Sequence, residues 1–292
     1  MSPPLFIALP GNEEMASRLA LSCGGELGGL ELSDFPDGES HLRFMVDLSG
    51  RSLVLVCSLF RPNAKILPLL FAADAARDLG AGRVGLVAPY LCYMRQDRRF
   101  QSGEAVTSEA FAKLVSRGFD WLATVDPHLH RRKSLAEIYS IPSCALHAGP
   151  ALAAWIQANT VRPFLIGPDE ESRQWVEGVA RACGAPFVVL AKRRSGDREV
   201  HISMPDSVLP AGVTPIFLDD IVSSGATMRE AIRLVPPSPR PVALAIHTVL
   251  TEGAAENIAS AGARLVSCNT VPSNYALIDV TSLIAGAIAD FL

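Results

Sequence analysis

The chain has 292 residues, a formal net charge of −4 and a mean hydropathy of +0.26. Because 49% of its residues are hydrophobic and 19% are charged, it can bury a sizeable core, which excludes global disorder. No apolar run approaches the roughly 20 residues that cross a bilayer, so the sequence predicts no membrane segment. The acidic balance gives no overall electrostatic attraction for nucleic acid.

Cysteine usage and the start of the chain both bear on the compartment. The six cysteines are dispersed singly, and the first ten residues lack the basic region and continuous apolar segment of an export signal. We therefore expect a cytoplasmic protein with reduced thiols. Positive charge is concentrated at residues 95–99, 131–133 and 192–194. Such clusters on an acidic chain indicate a small anionic ligand, although any one of them alone is more often a solvated loop.

Short apolar runs alternate along the chain with segments of helical periodicity. The predicted strands are 53–58, 84–90, 121–126, 163–167, 186–190, 215–219, 242–249 and 264–268. The predicted helices are 66–79, 108–115, 133–138, 151–159, 172–183, 226–234, 254–261 and 282–292. This alternation is typical of parallel sheets buried on both faces and predicts the α/β class. Pro and Gly accumulate at 141–150, which predicts one domain at 1–145 and another at 146–292.

The most informative segment follows the predicted strand 215–219, where ligands bind in open α/β sheets. Two acids are followed by a loop of small residues and then a helix. Adjacent acids suit vicinal sugar hydroxyls, while small side chains let backbone N–H groups approach a phosphate. The alternative is an ordinary turn with a helix N-cap. We predict a ribose 5-phosphate site made of Asp219, Asp220, Ser223, Ser224, Gly225, Ala226 and Thr227.

This segment resembles the phosphoribosyl diphosphate loop of the type I phosphoribosyltransferase superfamily. Other motifs occur in the order and approximate spacing seen in ribose-phosphate pyrophosphokinases, at residues 35–39, 61–63, 89–98, 126–128 and 192–194. The resemblance covers nearly the whole chain. It implies two phosphoribosyltransferase-like domains, each a mainly parallel sheet flanked by helices.

Two of these motifs have the chemistry of a nucleotide site. In residues 35–39, alternation would project two acids the same way, and the aromatic ring offers a face for a purine. Residues 95–97 supply a guanidinium group and an amide after a predicted strand. A polar hairpin turn is the alternative for the first motif. The resemblance implies an ATP site made of Phe35, Asp37, Glu39, Arg95, Gln96 and Asp97. Because that family holds adenine partly with a neighbouring subunit, it also implies a homo-oligomer, either a dimer or a hexamer built from dimers.

The remaining motifs concern a metal ion and the transition state. His128 follows the predicted strand 121–126, and a histidine there can contact a divalent ion or phosphate oxygens, although a lone histidine is more often structural. The resemblance implies a Mg²⁺ site with His128 and Asp169. It also implies that Lys192 and Arg194 belong to a mobile catalytic loop that stabilises the transferring group. His128 is included with them as a catalytic residue.

The sequence departs from the family pattern at three places, one of which is residues 129–133, Leu-His-Arg-Arg-Lys instead of an Ala-rich stretch that contains Gln. Glu170 and Glu171 replace small residues after Asp169, and Ser223 replaces an acid in the sugar loop. The resemblance implies transfer of the diphosphoryl group of ATP to C1 of ribose 5-phosphate, giving 5-phosphoribosyl 1-diphosphate and AMP. The alternatives are a phosphoribosyltransferase and a non-catalytic regulatory paralogue.

Overall fold

The computed structural model describes residues 2–195, 199–203 and 209–292, with the backbone alone for 191–195 and 199–203. The chain divides into two compact units. Unit 1 comprises Met1–Leu146 and Thr281–Leu292, and unit 2 comprises His147–Val280. The predicted boundary at 145/146 lies beside the observed one, but the last twelve residues, expected in the second domain, cluster with unit 1.

Strands and helices alternate along much of both units, apart from two runs of four consecutive strands. The strands are β1 (Leu5–Ala8), β2 (Glu26–Gly28), β3 (Leu30–Asp34), β4 (Ser40–Phe44), β5 (Ser52–Val56), β6 (Arg83–Ala88), β7 (Trp121–Val125), β8 (Ser143–Leu146), β9 (Pro163–Gly167), β10 (Phe187–Val189), β11 (Ala191–Ser195), β12 (Glu199–Ser203), β13 (Thr214–Val222), β14 (Val242–Thr248), β15 (Arg264–Cys268) and β16 (Ala276–Ile278). The helices are α1 (Glu13–Ser22), α2 (Asn63–Asp78), α3 (Thr107–Gly118), α4 (Gly149–Asn159), α5 (Arg173–Cys183), α6 (Ala226–Ile232), α7 (Ala254–Ser260) and α8 (Thr281–Ile288). None of the helices in these ranges is long and apolar enough to cross a membrane.

Unit 1 is built on a six-stranded parallel sheet in the order β2-β1-β5-β6-β7-β8, and β3 pairs with β4 in a separate antiparallel hairpin. The central strands are apolar runs with both faces buried, as expected of a parallel sheet covered by helices. Packing between β6 and β7 depends on Gly85, because a Cβ there would lie 2.0 Å from the Trp121 ring. Close packing of this kind fixes the spacing of the strand ends.

The C-terminal helix α8 packs within unit 1 against α1, β7 and β8. The Thr281 hydroxyl lies 3.4 Å from the Met15 sulfur, and the Phe291 ring stacks on Trp121 with 5.2 Å between ring centroids. Arg83 donates a hydrogen bond of 2.7 Å to the Phe291 carbonyl. The predicted helix 282–292 is therefore α8 followed by a 3₁₀ turn at Ala289–Phe291.

Unit 2 repeats the architecture with a sheet in the order β10-β9-β13-β14-β15-β16 and an antiparallel hairpin of β11 and β12. Its core includes the buried side chains of Phe164, Ile166 and Phe217. Strand β13 runs to Val222, three residues beyond the predicted 215–219. The reason is that the buried strand β14 continues beside it and pairs through Ile221 and Val222.

Candidate functional site

The hairpin of β3 and β4 presents the first predicted nucleotide motif. Residues 35–39 form the turn itself, closed by hydrogen bonds from the Phe35 amide to the Glu39 carbonyl (2.7 Å) and from the Gly38 amide to the Phe35 carbonyl (2.8 Å). The Phe35 ring is 51% exposed and meets His41 edge to face, and Asp37 accepts a bond from the Glu39 amide at 3.2 Å. The expected strand-like alternation is therefore replaced by a tight turn, which leaves Phe35, Asp37 and Glu39 together at an exposed tip.

Backbone strain in unit 1 is concentrated where three adjacent strands end. Arg61 follows β5, Tyr93 follows β6 and Asp126 follows β7, with φ of +50°, +58° and +35°. Non-glycine residues enter this left-handed region at a cost, and such residues concentrate at functional sites. The carboxyl edge of this sheet therefore has the character of a ligand site.

Arg95, Gln96 and Asp97 follow Tyr93 at this edge but differ in exposure. Arg95 is exposed, Gln96 is partly buried, and its carbonyl accepts the Ser108 amide at the start of α3. Asp97 is buried, and both its carboxylate oxygens accept hydrogen bonds from Arg131, at 3.0 and 3.2 Å. The Asp97 carboxylate is thus engaged by the protein, whereas the Arg95 guanidinium faces solvent.

His128 lies two residues beyond Asp126, whose amide donates to the Leu146 carbonyl at 2.7 Å and anchors the turn after β7. The His128 ring is partly buried and lies 3.9 Å, centroid to centroid, from the ring of His130. Of the basic residues that follow, Arg132 packs inward, since its side chain is 14% exposed and bonds Glu109 at 3.1 Å, whereas Arg131 and Lys133 are exposed. The helix predicted at 133–138 is a 3₁₀ turn, Leu135–Glu137.

In unit 2, three acids occupy the carboxyl ends of the neighbouring strands β9 and β13. Asp169 follows β9, and Asp219 and Asp220 lie in the last four residues of β13. The Asp219 carboxylate accepts the Asp220 amide at 3.0 Å, and the Asp220 carboxylate accepts the Ile221 amide at 2.8 Å. The pKa of Asp219 is raised well above its ordinary value by burial and by the charges of Asp220 and Asp169. This edge therefore favours a bound cation or hydroxyl donors.

The predicted phosphate loop connects β13 to α6. Gly225 precedes the helix with φ of +69°, and a Cβ there would approach Ile258 to 3.1 Å, so only glycine suits the position. Ser224 is exposed and its hydroxyl accepts the Ala226 amide at 3.4 Å, whereas Ser223 and Thr227 are partly buried. The loop therefore packs its glycine against α7 and carries hydroxyl groups on either side of it.

The acidic departure after Asp169 is partly neutralised within the protein. Arg173 forms two hydrogen bonds to the Glu170 carboxylate, one of them at 2.9 Å, and this contact lowers the pKa of Glu170. The Asp169 carboxylate caps the turn Glu170–Ser172 by accepting the Glu171 amide at 3.1 Å. One of the two additional negative charges is therefore compensated by Arg173.

Lys192 and Arg194 lie in β11, opposite Ile202 and Val200 of β12. Their side chains fall outside the described residues. The hairpin thus fixes their backbone register alone.

The sequence analysis does not predict two side-chain contacts near the carboxyl ends of the unit 1 strands. The Asn12 side chain, which follows β1, accepts the Ser58 amide at 2.7 Å and so joins the ends of β1 and β5. Arg131 was part of a basic cluster, but its partner Asp97 lies 34 residues away. No periodicity indicates either contact.

Comparison with known proteins extends these observations to the whole chain. A crystal structure of phosphoribosylpyrophosphate synthetase from Mycobacterium smegmatis superposes with a TM-score of 0.83 at 23% identity, covering 99% of this chain and 98% of that one. Residues 5–117 match the N-terminal domain of ribose phosphate pyrophosphokinase, and residues 134–280 match the phosphoribosyl transferase domain. The fold is therefore that of a two-domain protein of the phosphoribosyltransferase class.

Similarity to curated proteins identifies the family within this class. The ribose-phosphate pyrophosphokinase of Methanopyrus kandleri is 33% identical over 292 residues, covering 97% of this chain and 98% of the relative. That of Halobacterium salinarum is 32% identical over 289 residues, covering 99% and 100%. The chain belongs to the ribose-phosphate pyrophosphokinase family.

Proposed function

We propose that this protein transfers the diphosphoryl group of ATP to the C1 hydroxyl of ribose 5-phosphate, producing 5-phosphoribosyl 1-diphosphate and AMP. Membership of the family over nearly the full length supports this reaction. The observation that carries it is the unit in which the paired acids of β13 lead into the glycine-bearing loop before α6. That unit suits a sugar that carries both vicinal hydroxyls and a phosphate.

The acceptor is assigned to unit 2. Asp219 and Asp220 accept hydrogen bonds from ribose hydroxyls, because ionised carboxylates act only as acceptors. The 5-phosphate is held by the loop made of Ser223, Ser224, Gly225, Ala226 and Thr227. The small residues of the loop and the exposed Ser224 support this assignment.

The nucleotide is assigned to unit 1. Phe35 stacks on adenine while Asp37 and Glu39 accept hydrogen bonds, and the exposed tip of the hairpin supports this role. Arg95 and Gln96 bind the nucleotide directly, since a guanidinium group suits phosphate oxygens and an amide suits a base edge. Asp97 belongs to the same site through its segment, with its carboxylate turned to Arg131.

Magnesium is the metal that suits these residues. Asp169 and Asp219 offer carboxylate oxygens, which this hard cation prefers, and the charge crowding that raises the Asp219 pKa is relieved by a divalent cation. We assign Asp169 and His128 to the metal environment. When bound, the ion neutralises charge on the phosphate oxygens of the nucleotide.

Lys192 and Arg194 are assigned to transition-state stabilisation, with His128 as the third catalytic residue. Positions two apart in a strand share a face, and both lie in β11. Preorganised positive charge at the transferring group lowers the barrier, because phosphoryl-type transfer depends on positioning and charge neutralisation. No covalent intermediate is required.

The test is an assay of the purified protein with magnesium, ATP and ribose 5-phosphate. We expect AMP and 5-phosphoribosyl 1-diphosphate in equal amounts, and no comparable reaction with free ribose. A phosphoribosyltransferase would instead consume 5-phosphoribosyl 1-diphosphate with a base and release pyrophosphate. A non-catalytic paralogue would bind ATP without forming AMP. Either result would overturn the proposal.

We further propose a cytoplasmic homo-oligomer, a dimer or a hexamer built from dimers. None of the six cysteines, all within the described residues, forms a disulfide, which suits a reducing compartment. Exposed apolar side chains on α2, with Leu67 at 59% and Phe71 at 49% exposure, suit contact between copies. Light scattering on the purified protein tests the assembly, and a monomer at micromolar concentration would contradict it.

A further inference from the structure

An ion pair joins two segments of unit 1 that carry proposed site residues. The Asp97 side chain is 3% exposed, and one Arg131 nitrogen lies 3.0 and 3.2 Å from its two oxygens. Asp97 directly follows Arg95 and Gln96, and Arg131 lies three residues beyond His128. The pair therefore fixes one segment against the other.

Arg131 makes a second contact with the same segment. Its guanidinium carbon lies 5.5 Å from the centroid of the Phe100 ring, and that of Arg98 lies 5.0 Å from it. Cation–π contacts at these distances are attractive. Arg131 thus holds the nucleotide segment both at Asp97 and at Phe100.

Neighbouring contacts close the segment on itself. Arg132 donates to the Asp97 carbonyl at 3.3 Å. The Glu104 carboxylate accepts the amides of Phe100 (2.7 Å) and Gln101 (3.2 Å). These contacts restrain an otherwise exposed loop, and a restrained loop lowers the entropy cost of binding.

We propose that Arg131 is a positioning residue for the nucleotide: its pair with Asp97 holds Arg95 and Gln96 in the arrangement that binds ATP. This inference rests on the proposed function, because it assigns the role to the nucleotide site. Arg131 acts indirectly, through its contacts with Asp97 and Phe100. Its loss raises the entropy cost of ATP binding and leaves the acceptor site in unit 2 unaltered.

The experiment compares Arg131→Gln, Asp97→Asn, the double variant and Arg131→Lys in the AMP-forming assay. We expect each of the first two to raise the KM for ATP about tenfold, with the KM for ribose 5-phosphate within twofold of wild type. The double variant matches the larger single effect, because both changes remove the same contact. Arg131→Lys keeps the charge and recovers part of the loss.

The matched control is Glu177→Gln, which removes an exposed 3.0 Å ion pair with Arg181 on α5 of unit 2. We expect it to leave both KM values unchanged. Thermal unfolding of every variant separates local from global effects. If a Gln or Asn variant fails to fold, Arg131→Lys carries the test through its KM for ATP.

Two outcomes would overturn the proposal. The first is that the effects of Arg131→Gln and Asp97→Asn multiply in the double variant. The second is that Arg131→Gln changes the KM for ribose 5-phosphate as much as that for ATP. If the wild-type protein forms no AMP, the proposed reaction fails instead. Calorimetric titration with MgATP then still measures whether the two substitutions weaken ATP binding about tenfold without adding.

Discussion

The two units have the same order of elements but carry different chemistry. In each sheet the edge strand leads into an antiparallel hairpin, and the chain then returns to the strand beside the first one. In unit 1 that hairpin, β3 and β4, presents an aromatic ring and two acids at its tip. In unit 2 the corresponding hairpin, β11 and β12, carries Lys192 and Arg194. The scaffold therefore sets where a hairpin lies, and its residues determine which ligand group it meets.

The corresponding strand ends differ in the same way. In unit 1, β1 and β5 are joined by the neutral Asn12 side chain, which is 3% exposed. In unit 2, the equivalent strands β9 and β13 lead to Asp169 and Asp219, and burial together with the charges of Asp220 and Asp169 raises the pKa of Asp219. The junction of β1 and β5 is closed by a neutral hydrogen bond, whereas the acids of unit 2 repel one another. Clustered acids with a raised pKa are typical of a binding site.

The largest expected effect is on the rate, and it distinguishes the roles of the two hairpins. Lys192→Ala should lower kcat by about 100-fold or more, because one preorganised charge contact at the transferring group is lost. Glu39→Ala, the matched change in the other hairpin, should weaken ATP binding about tenfold with the fold intact. Steady-state kinetics and calorimetry measure both. A change in KM alone for Lys192→Ala would contradict its role.

The second effect concerns the acid pair of unit 2. Asp219→Ala should lower kcat/KM for ribose 5-phosphate by about 50-fold, since a charged hydrogen bond to the sugar is lost. Glu171→Ala, outside the proposed cradle, should change it less than threefold. Initial rates at varied acceptor concentration provide the comparison. Unchanged acceptor kinetics in Asp219→Ala would remove the sugar-site assignment.

The third effect is on stability alone and concerns Asn12. Its amide donates to the carbonyls of Leu9 (3.0 Å) and Pro10 (3.2 Å), and its oxygen accepts the Ser58 amide. Asn12→Ala leaves the buried Ser58 amide unsatisfied, so we expect a loss of about 2 kcal/mol in the free energy of unfolding. Urea denaturation measures it, with exposed Glu14→Ala as the control. A loss under about 0.5 kcal/mol would show that the junction is not needed.

The smallest expected effect is a change in stability caused by the clustered acids of unit 2. Because the pKa of Asp219 is raised in the folded state, its contribution to stability is greatest below the ordinary carboxyl pKa and is lost as pH rises through the raised value. Asp219→Asn removes this charge, so we expect it to stabilise the magnesium-free protein by about 1 kcal/mol at pH 8. The gain should shrink toward pH 4. Thermal unfolding across this pH range measures the gain, with exposed Glu256→Gln as the control. A gain in stability that does not depend on pH would contradict the assignment.

Most of the buried strands are predicted from the sequence, but the buried strand β1 and the exposed hairpin strands are not. Predicted strands 163–167 and 264–268 coincide with β9 and β15, because a continuous apolar run has few alternatives to a buried parallel strand. No strand or helix is predicted in the first 50 residues, although β1, α1 and the β3–β4 hairpin lie there. Hairpin strands are half-exposed and short, so they lack the apolar run on which the prediction depends.

The site shows the same limit. Candidate site residues can be predicted at the positions that follow each strand, because parallel strands end at one edge of a sheet and ligands bind there. The orientation of each side chain could not. Asp97 and Arg131 are separated by 34 residues, and their pairing depends on the packing of the turns after β6 and β7. Local patterns carry no information on such a contact.

The return of the last twelve residues to unit 1 has a consequence for truncation. Unit 2 is one continuous stretch of chain, whereas unit 1 needs segments from either side of unit 2. Helix α8 packs on α1, and Phe291 covers Trp121. Deleting residues 281–292 would therefore leave every residue of unit 2 in place and uncover an apolar face on unit 1, which is a liability for aggregation.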